Sequence, residues 1–75
     1  MKFKKFIKKI EKLGFTYSES SFYHKVSTDK VKEFAGVEIH GQELYFDCVR
    51  TIKMKKLEKL LKQLIKLAST NPKER

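Results

Sequence analysis

The chain has 75 residues, 40% of them hydrophobic and 36% charged, and its 18 lysines and arginines outnumber nine acidic residues to give a formal net charge of +9. A chain of this length supports one domain with one small core, which argues against a deep, walled active site. The single cysteine excludes an internal disulfide and a multi-cysteine zinc site, and the apolar runs fall far short of the roughly 18 residues that a membrane span needs.

The first predicted element is an amphipathic helix over residues 2–13. Its apolar residues recur at spacings of three and four, which places them on one helical face: Phe3, Phe6, Ile7, Ile10 and Leu13. Gly14 is expected to end the helix in the left-handed conformation, and Phe15 is expected to contact Ile10 in a Schellman ending.

Strands are predicted next, because the middle of the chain changes to alternating apolar and polar residues with many β-formers. The predicted strand segments are residues 15–19, 22–27, 37–40 and 43–49.

The segment of residues 29–35, between the second and third predicted strands, fits two interpretations. Val31, Phe34 and Ala35 have helical spacing with Gly36 as a cap, whereas a bulged strand is the alternative. We favour a single helical turn.

A β-hairpin is predicted at Gly41-Gln42, with glycine at the first central position of a two-residue type II′ turn. This turn places Cys48 on the core face as a buried, inert thiol. The cross-strand pairs on that face are Ile39 with Leu44 and Val37 with Phe46. The other face is expected to be wet and acidic and to carry Glu38, His40, Glu43, Tyr45 and Asp47.

The C-terminal segment predicts a second amphipathic helix, which begins at Thr51 as its N-cap and ends at Asn71-Pro72. Its apolar stripe contains Met54, Leu57, Leu60, Leu61, Leu64, Ile65, Leu67 and Ala68. Residues 72–75 are expected to be a flexible tail. We therefore predict a single α+β domain over residues 1–71, with an N-terminal helix, a three- or four-stranded antiparallel sheet and a C-terminal helix, both helices lying on one sheet face.

The excess positive charge lies on the two predicted helices. Residues 2–13 carry six lysines and one glutamate, residues 53–67 carry the same, and residues 14–52 carry four basic and six acidic residues. The lysines opposite each apolar stripe form two basic spines, Lys5, Lys8 and Lys12 on the first helix and Lys55, Lys59, Lys62 and Lys66 on the second. If both stripes pack on one sheet face, both spines point away from the sheet.

This charge distribution predicts contact with an anionic partner. Lysine ammonium groups hold phosphates and release counterions without reading bases, which favours a small nucleic-acid-binding module without sequence specificity. One alternative is a protein-interaction module, such as an inhibitor or regulator from a mobile genetic element, that docks a charged face on an oppositely charged protein. Another is a lysine face that serves solubility alone. The predicted phosphate-contacting residues are Lys5, Lys8, Lys12, Lys55, Lys56, Lys59, Lys62 and Lys66.

The order helix, strands, helix over nearly the whole chain resembles the double-stranded-RNA-binding domain. The segment Lys55-Lys56-Leu57-Glu58-Lys59-Leu60-Leu61 is similar to the Lys-Lys-x-Ala-Lys-x-x-Ala-Ala motif of that family. The resemblance implies that Lys55, Lys56 and Lys59 hold phosphates across the major groove, with assistance from the helix N-terminus.

The same architecture is used by HicA-type ribonuclease toxins, in which a histidine after a Gly-Ser pair performs the cleavage. This sequence has Ser20-Ser21-Phe22-Tyr23-His24, with Phe22 at the position of that histidine. His24 shares a strand face with Phe22 and Val26, which predicts an inward or edge histidine held by a hydrogen bond. General acid–base catalysis by His24 is the alternative.

No other residues suggest catalysis or cofactor binding. His40 lies beside the predicted turn with Glu38 and Glu43 near it, and this set is interpreted as a polar turn in preference to a weak metal site. We expect no metal, no cofactor, no membrane partner and a cytoplasmic location, with nucleic acid or an acidic protein as the partner.

Overall fold

The computed structural model describes residues 1–75 and contains two helices and one four-stranded antiparallel sheet. The elements in chain order are α1 (Phe3–Lys12), β1 (Thr16–Glu19), β2 (Tyr23–Ser27), β3 (Ala35–Glu38), β4 (Leu44–Phe46) and α2 (Met54–Ser69), followed by a short 3-10 helix (Pro72–Glu74). The strands lie in the sheet in chain order, and neighbouring strands are antiparallel. Helix α1 packs on β1 and helix α2 packs on β3 and β4, which confirms the predicted α+β class.

One hydrophobic core lies between the helices and the sheet. It consists of Phe6, Ile10, Phe15, Val26, Phe34, Ala35, Val37, Leu57, Leu60, Leu64, Leu67 and Ala68. Each fully buried Leu, Ile, Val or Phe side chain contributes roughly 1.5–3 kcal/mol to folding. Because both helices contribute to one cluster, both cover the same face of the sheet, as the apolar stripes predicted.

Helix α1 ends as the sequence predicted. Gly14 has a φ angle of 92° and its N–H donates to the carbonyl of Glu11 at 2.9 Å. The N–H of Phe15 donates to the carbonyl of Ile10 at 3.0 Å, which completes the two hydrogen bonds of a Schellman motif. Phe15 then enters the core beside Ile10.

Helix α2 begins later than the sequence predicted. Its N-cap is Lys53, which has an extended backbone and makes no side-chain capping bond. The prediction that Thr51 caps the helix is wrong, because the chain turns once more before the helix starts. In that turn the N–H of Ile52 donates to the carbonyl of Val49 at 3.2 Å. Ile52 also packs against the core, and this contact fixes the approach to the helix.

The β3–β4 connection is wider than the predicted two-residue turn. Val37 pairs with Leu44, so the register differs from the prediction by two residues. The connection is closed by Glu38, whose N–H donates to the carbonyl of Glu43 at 2.9 Å and whose Oε1 accepts the N–H of Glu43 at 3.0 Å. The type II′ turn at Gly41-Gln42 is wrong, since Gly41 does not have a positive φ angle. A shift of two residues keeps the same side chains on the core face.

Two further predictions around the sheet are corrected. Strand β4 ends at Phe46, so strand alternation does not reach Cys48, and the thiol predicted to be buried is exposed. The helical turn favoured for residues 29–35 is replaced by a loop in which the hydroxyl of Thr28 accepts the N–H of Val31 at 3.0 Å. Strand β3 begins directly after that loop.

The C-terminal residues fold back onto the β3–β4 connection, where the sequence suggested a flexible tail over residues 72–75. The Arg75 guanidinium donates to the carbonyls of Glu38 at 2.6 Å, Gly41 at 2.7 Å and Leu67 at 3.0 Å. These bonds join the end of helix α2 to the connection between β3 and β4. Neither helix has the length and apolar character needed to cross a bilayer.

Candidate nucleic-acid interface

The two helices lie side by side and run in opposite directions. The end of α1 lies at the start of α2, where the Lys56 ammonium lies 5.3 Å from the centroid of the Phe15 ring. The start of α1 lies at the end of α2, where the Met1 amino group donates to the hydroxyl of Thr70. The apolar stripes face the sheet, so the lysines of both helices lie on the outer side of the molecule. Met54 and Ile65 are the exceptions, because both were predicted to lie in the stripe of α2 and both are exposed.

The positive charge of this outer side is not neutralised by carboxylates. All eight predicted phosphate-contacting lysines are exposed. The single salt bridge of the protein joins Lys25 Nζ to Glu33 Oε2 at 3.2 Å, and neither residue belongs to a helix. Ammonium groups without carboxylate partners remain available to an anionic ligand.

A groove runs along the contact between the helices, and we call it the lysine seam. It consists of Lys5, Lys9 and Lys12 from α1 and Lys59, Gln63 and Lys66 from α2. One part of the groove, of about 410 Å³, is lined by Lys9, Lys12, Leu13, Lys59 and Gln63. The other part, of about 430 Å³, is lined by Met1, Lys5, Lys9, Ile65, Lys66 and Ser69.

Two residues of the lysine seam were missed by the sequence analysis. Lys9 lines both parts of the groove, and it is the one lysine within the two helices that is not fully exposed. At 100° per residue Lys9 lies about 40° from Leu13, at the margin of the apolar stripe, and not opposite it like the basic spine. The position of Lys9 at the margin of the apolar stripe was the available sequence signal for its role. The side of α1 on which α2 packs is set by tertiary structure, which the sequence pattern does not reveal. Gln63 lies in the groove with a buried Oε1 that has no hydrogen-bond partner.

The remaining predicted lysines are not brought together in the groove. Lys8, Lys55 and Lys62 are exposed on the helices outside the lysine seam. The ammonium of Lys56 lies over the Phe15 ring, in the geometry of a cation–π contact. The sequence therefore predicted the basic side of the molecule but not the distribution of lysines within it.

The opposite face of the sheet carries aromatic side chains. The rings of Tyr23 and Tyr45 meet edge to face with centroids 5.3 Å apart. Tyr45 covers Gly36, where an added Cβ would lie 2.7 Å from both a Tyr45 ring carbon and the His24 carbonyl oxygen. Only Glu38 of the acidic residues predicted for this face lies within a strand. The aromatic residues and the lysine seam thus lie on opposite sides of the molecule.

His24 is an inward, hydrogen-bonded residue, as predicted. Its side chain is 8% exposed, its ring stacks on Phe3 with centroids 4.4 Å apart, and Nδ1 lies 2.8 Å from the Tyr17 hydroxyl. Burial lowers the pKa of His24, and the positive charge of Arg75 lowers it further. Little of the imidazole surface is open to a substrate.

Metal-ligating side chains are not clustered. No group of three or more His, Cys, Asp or Glu side chains is placed to hold a metal ion. Glu38 instead accepts the main-chain N–H of Glu43, and His40 is exposed to solvent.

No protein-family model matches the chain, and comparisons with curated proteins and with solved structures give no match.

Proposed function

We propose that the protein is a small nucleic-acid-binding module that contacts phosphate groups through lysines of its two helices and does not read bases. The observation that carries this proposal is the pair of adjacent helices whose lysines face outward together without carboxylate partners. Binding of a phosphate backbone to such a surface is favoured because condensed counterions are released from the nucleic acid.

The composition of the basic side favours backbone contact over sequence recognition. Direct recognition of base edges uses the planar or bidentate groups of Arg, Asn and Gln, whereas lysine acts as a point charge. Base stacking would need exposed aromatic rings beside the lysines. The aromatic residues of α1 are directed inward, because Phe6 is fully buried and Phe3 packs against Tyr17 and His24.

Charge reversal at three exposed lysines of α2 tests the proposal. The variant carries Lys55→Glu, Lys59→Glu and Lys62→Glu, and we expect it to lose binding to labelled oligonucleotides in fluorescence anisotropy while keeping the wild-type circular dichroism spectrum. A matched control carries Lys30→Glu, Lys32→Glu and Lys73→Glu, which change the net charge equally outside the two helices. We expect the control to retain binding. Equal affinity of the helix variant and the wild-type protein would contradict the proposal.

Docking on a partner protein is the second candidate function. Phe22 is 74% exposed at the β1–β2 connection, next to the open sheet face, and exposed aromatic side chains are enriched in protein interfaces. Purification at physiological salt separates the two candidates. Co-purified nucleic acid that is released by a high-salt wash supports the first, and one stoichiometric protein partner without nucleic acid supports the second.

A further inference from the structure

We infer that the lysine seam holds a single strand of phosphodiester backbone along its length, with Lys9 as the central contact. This inference rests on the proposed nucleic-acid-binding function and assigns the part of the basic side that carries it. In this assignment Lys9 and Gln63 contact the bound strand, whereas Lys8, Lys55 and Lys62 lie outside the contact.

The shape of the groove favours this assignment. Lysines on the convex surface of a helix point in different directions, whereas those of the lysine seam border two adjoining depressions, which share Lys9, from both helices. A phosphate in either depression is approached by ammonium groups of α1 and α2 together. Lys9 is partly buried in the groove, so less side-chain freedom remains to be lost when it binds.

The dimensions of the groove fit one strand. Lys5 and Lys12 are seven residues apart, as are Lys59 and Lys66, and each interval spans about 10 Å at 1.5 Å per residue. The 3.4 Å rise per step along a duplex axis sets an upper limit of about three phosphates for this length. The axes of packed helices lie about 8–10 Å apart, so the groove between them admits one backbone but not a whole duplex.

Gln63 adds a neutral group to the groove. Its buried Oε1 has no hydrogen-bond partner, and a buried amide oxygen without a partner is unfavourable. With Oε1 directed inward, the Nε2 group of the same carboxamide is neither buried nor bonded within the protein, and it can donate an N–H to a phosphate oxygen. Lysine and glutamine together then supply both charge and a directed hydrogen bond.

The salt dependence of the wild-type protein distinguishes this site from a diffuse basic surface. Neutralising about three phosphates gives a slope of log affinity against log salt of about −2.7 on duplex DNA or about −2.1 on a single strand. If the eight predicted lysines each neutralised one phosphate of a duplex, the slope would be about −7.

Three double variants with equal net charge test the inference. The seam pair is Lys9→Gln with Lys59→Gln, the peripheral pair is Lys8→Gln with Lys62→Gln, and the third pair, Lys4→Gln with Lys32→Gln, measures the effect of net charge alone. Affinities are measured by fluorescence anisotropy on single-stranded DNA, single-stranded RNA and duplex DNA, over a range of salt concentrations.

The seam pair is expected to bind roughly tenfold or more weakly than the wild-type protein, and the size of its salt slope is expected to fall by about 1.8 on duplex DNA or about 1.4 on a single strand. The peripheral pair is expected to weaken binding by no more than about threefold, the value we allow for long-range attraction alone. The nucleic acid that wild type binds most tightly identifies whether the strand comes from a duplex or a single-stranded molecule. Lys5→Gln with Lys66→Gln provides a second seam pair if the first is unfolded by circular dichroism.

The outcomes separate the inference from the proposed function. If the wild-type protein binds none of the three nucleic acids, both are overturned. If it binds but the seam and peripheral pairs lose affinity equally, or the slope lies near −7, the inference alone is overturned. A selective loss in the seam pair supports it.

Discussion

His24 is the residue whose chemistry depends most on its surroundings. The imidazole is enclosed by Phe3 and Tyr17, and the guanidinium of Arg75 contributes a repulsive charge. Each of these features favours the neutral form, so protonation of His24 in the folded protein costs free energy. The neutral ring can pair its Nδ1 with the Tyr17 hydroxyl, which ties strand β2 to strand β1.

This environment predicts that stability falls in mild acid. The pKa of His24 is lowered in the folded state, whereas histidine in the unfolded chain has its ordinary pKa of about 6.5. Below pH 6.5 the unfolded chain therefore binds more protons than the folded protein. The free energy of unfolding should therefore be highest above pH 6.5 and decline as the pH falls below that value. Urea unfolding at about pH 5, 6, 7 and 8 measures this dependence.

A pair of histidine variants identifies the source of the dependence. His24→Phe should lose the decline between about pH 5 and 7, whatever its effect on absolute stability. His40→Asn should keep most of the decline, because burial is the main cause of the lowered pKa of His24 and the charge of His40 contributes least. If His24→Phe retains the full decline, another group controls the acid response.

At the level of single elements, the start of helix α2 lacks the usual stabilising side chains. Lys53 occupies the N-cap position without a capping side chain, and the first turn contains no acidic residue. Four N–H groups at a helix start need partners, and lysine there opposes the helix dipole.

Replacement of Lys53 with serine should therefore stabilise the protein by about 0.5–1 kcal/mol, because a serine hydroxyl can accept an N–H of the first turn. Thr51→Ala should change the free energy of unfolding by less than about 0.5 kcal/mol, since Thr51 is exposed and caps no helix. Urea unfolding of both variants checks the pair. A larger loss in Thr51→Ala than the gain in Lys53→Ser would place the functional cap at Thr51.

The elements differ in how far the sequence alone predicts them. Helices α1 and α2 and strands β1, β2 and β4 follow from apolar periodicity, and the Schellman ending of α1 follows from Gly14. Strand β3 was predicted only in part, because it begins at Ala35, within the segment favoured as a helical turn. The β3–β4 connection does not follow from the sequence pattern, because it is contacted by Arg75, which is more than 30 residues away and donates to the carbonyls of Glu38 and Gly41. Turn preferences are local, and such a tertiary contact overrides them.

The candidate site also divides into features that the sequence predicts and features that depend on tertiary packing. Apolar periodicity predicts that the lysines opposite the stripe face solvent, and the structure places them there. The groove itself needs the relative position of two helices that are more than 40 residues apart in the chain. Lys9 and Gln63 enter the site through that packing, which no spacing within one helix reveals.

For the whole molecule, the dominant feature is an uncompensated charge. The chain carries a formal net charge of +9 and forms a single salt bridge. Like charges on two adjacent helices repel one another more in the compact state than in the unfolded chain. Part of the stability gained from the core is offset by this repulsion.

Added salt should consequently stabilise the protein. An increase in NaCl from about 0.1 M to about 1 M shortens the screening length from about 10 Å to about 3 Å. We expect a gain of about 1 kcal/mol, which corresponds to a rise in Tm of roughly 4–8 °C for a domain of this size. Thermal unfolding followed by circular dichroism measures the rise. The variant with Lys55→Glu, Lys59→Glu and Lys62→Glu should show a smaller rise in Tm. A rise equal to that of the wild-type protein would mean that general salting-out, and not screening of the lysines, causes the stabilisation.

The exposed thiol of Cys48 provides a single position for attaching a fluorescent dye. It is the only cysteine of the chain, and it lies in the connection between β4 and α2, outside both parts of the lysine seam. A maleimide fluorophore can therefore be coupled there without engineering the sequence. Energy transfer from that dye to acceptors on the 5′ or 3′ end of a short oligonucleotide would then report the polarity with which a bound strand lies between the helices.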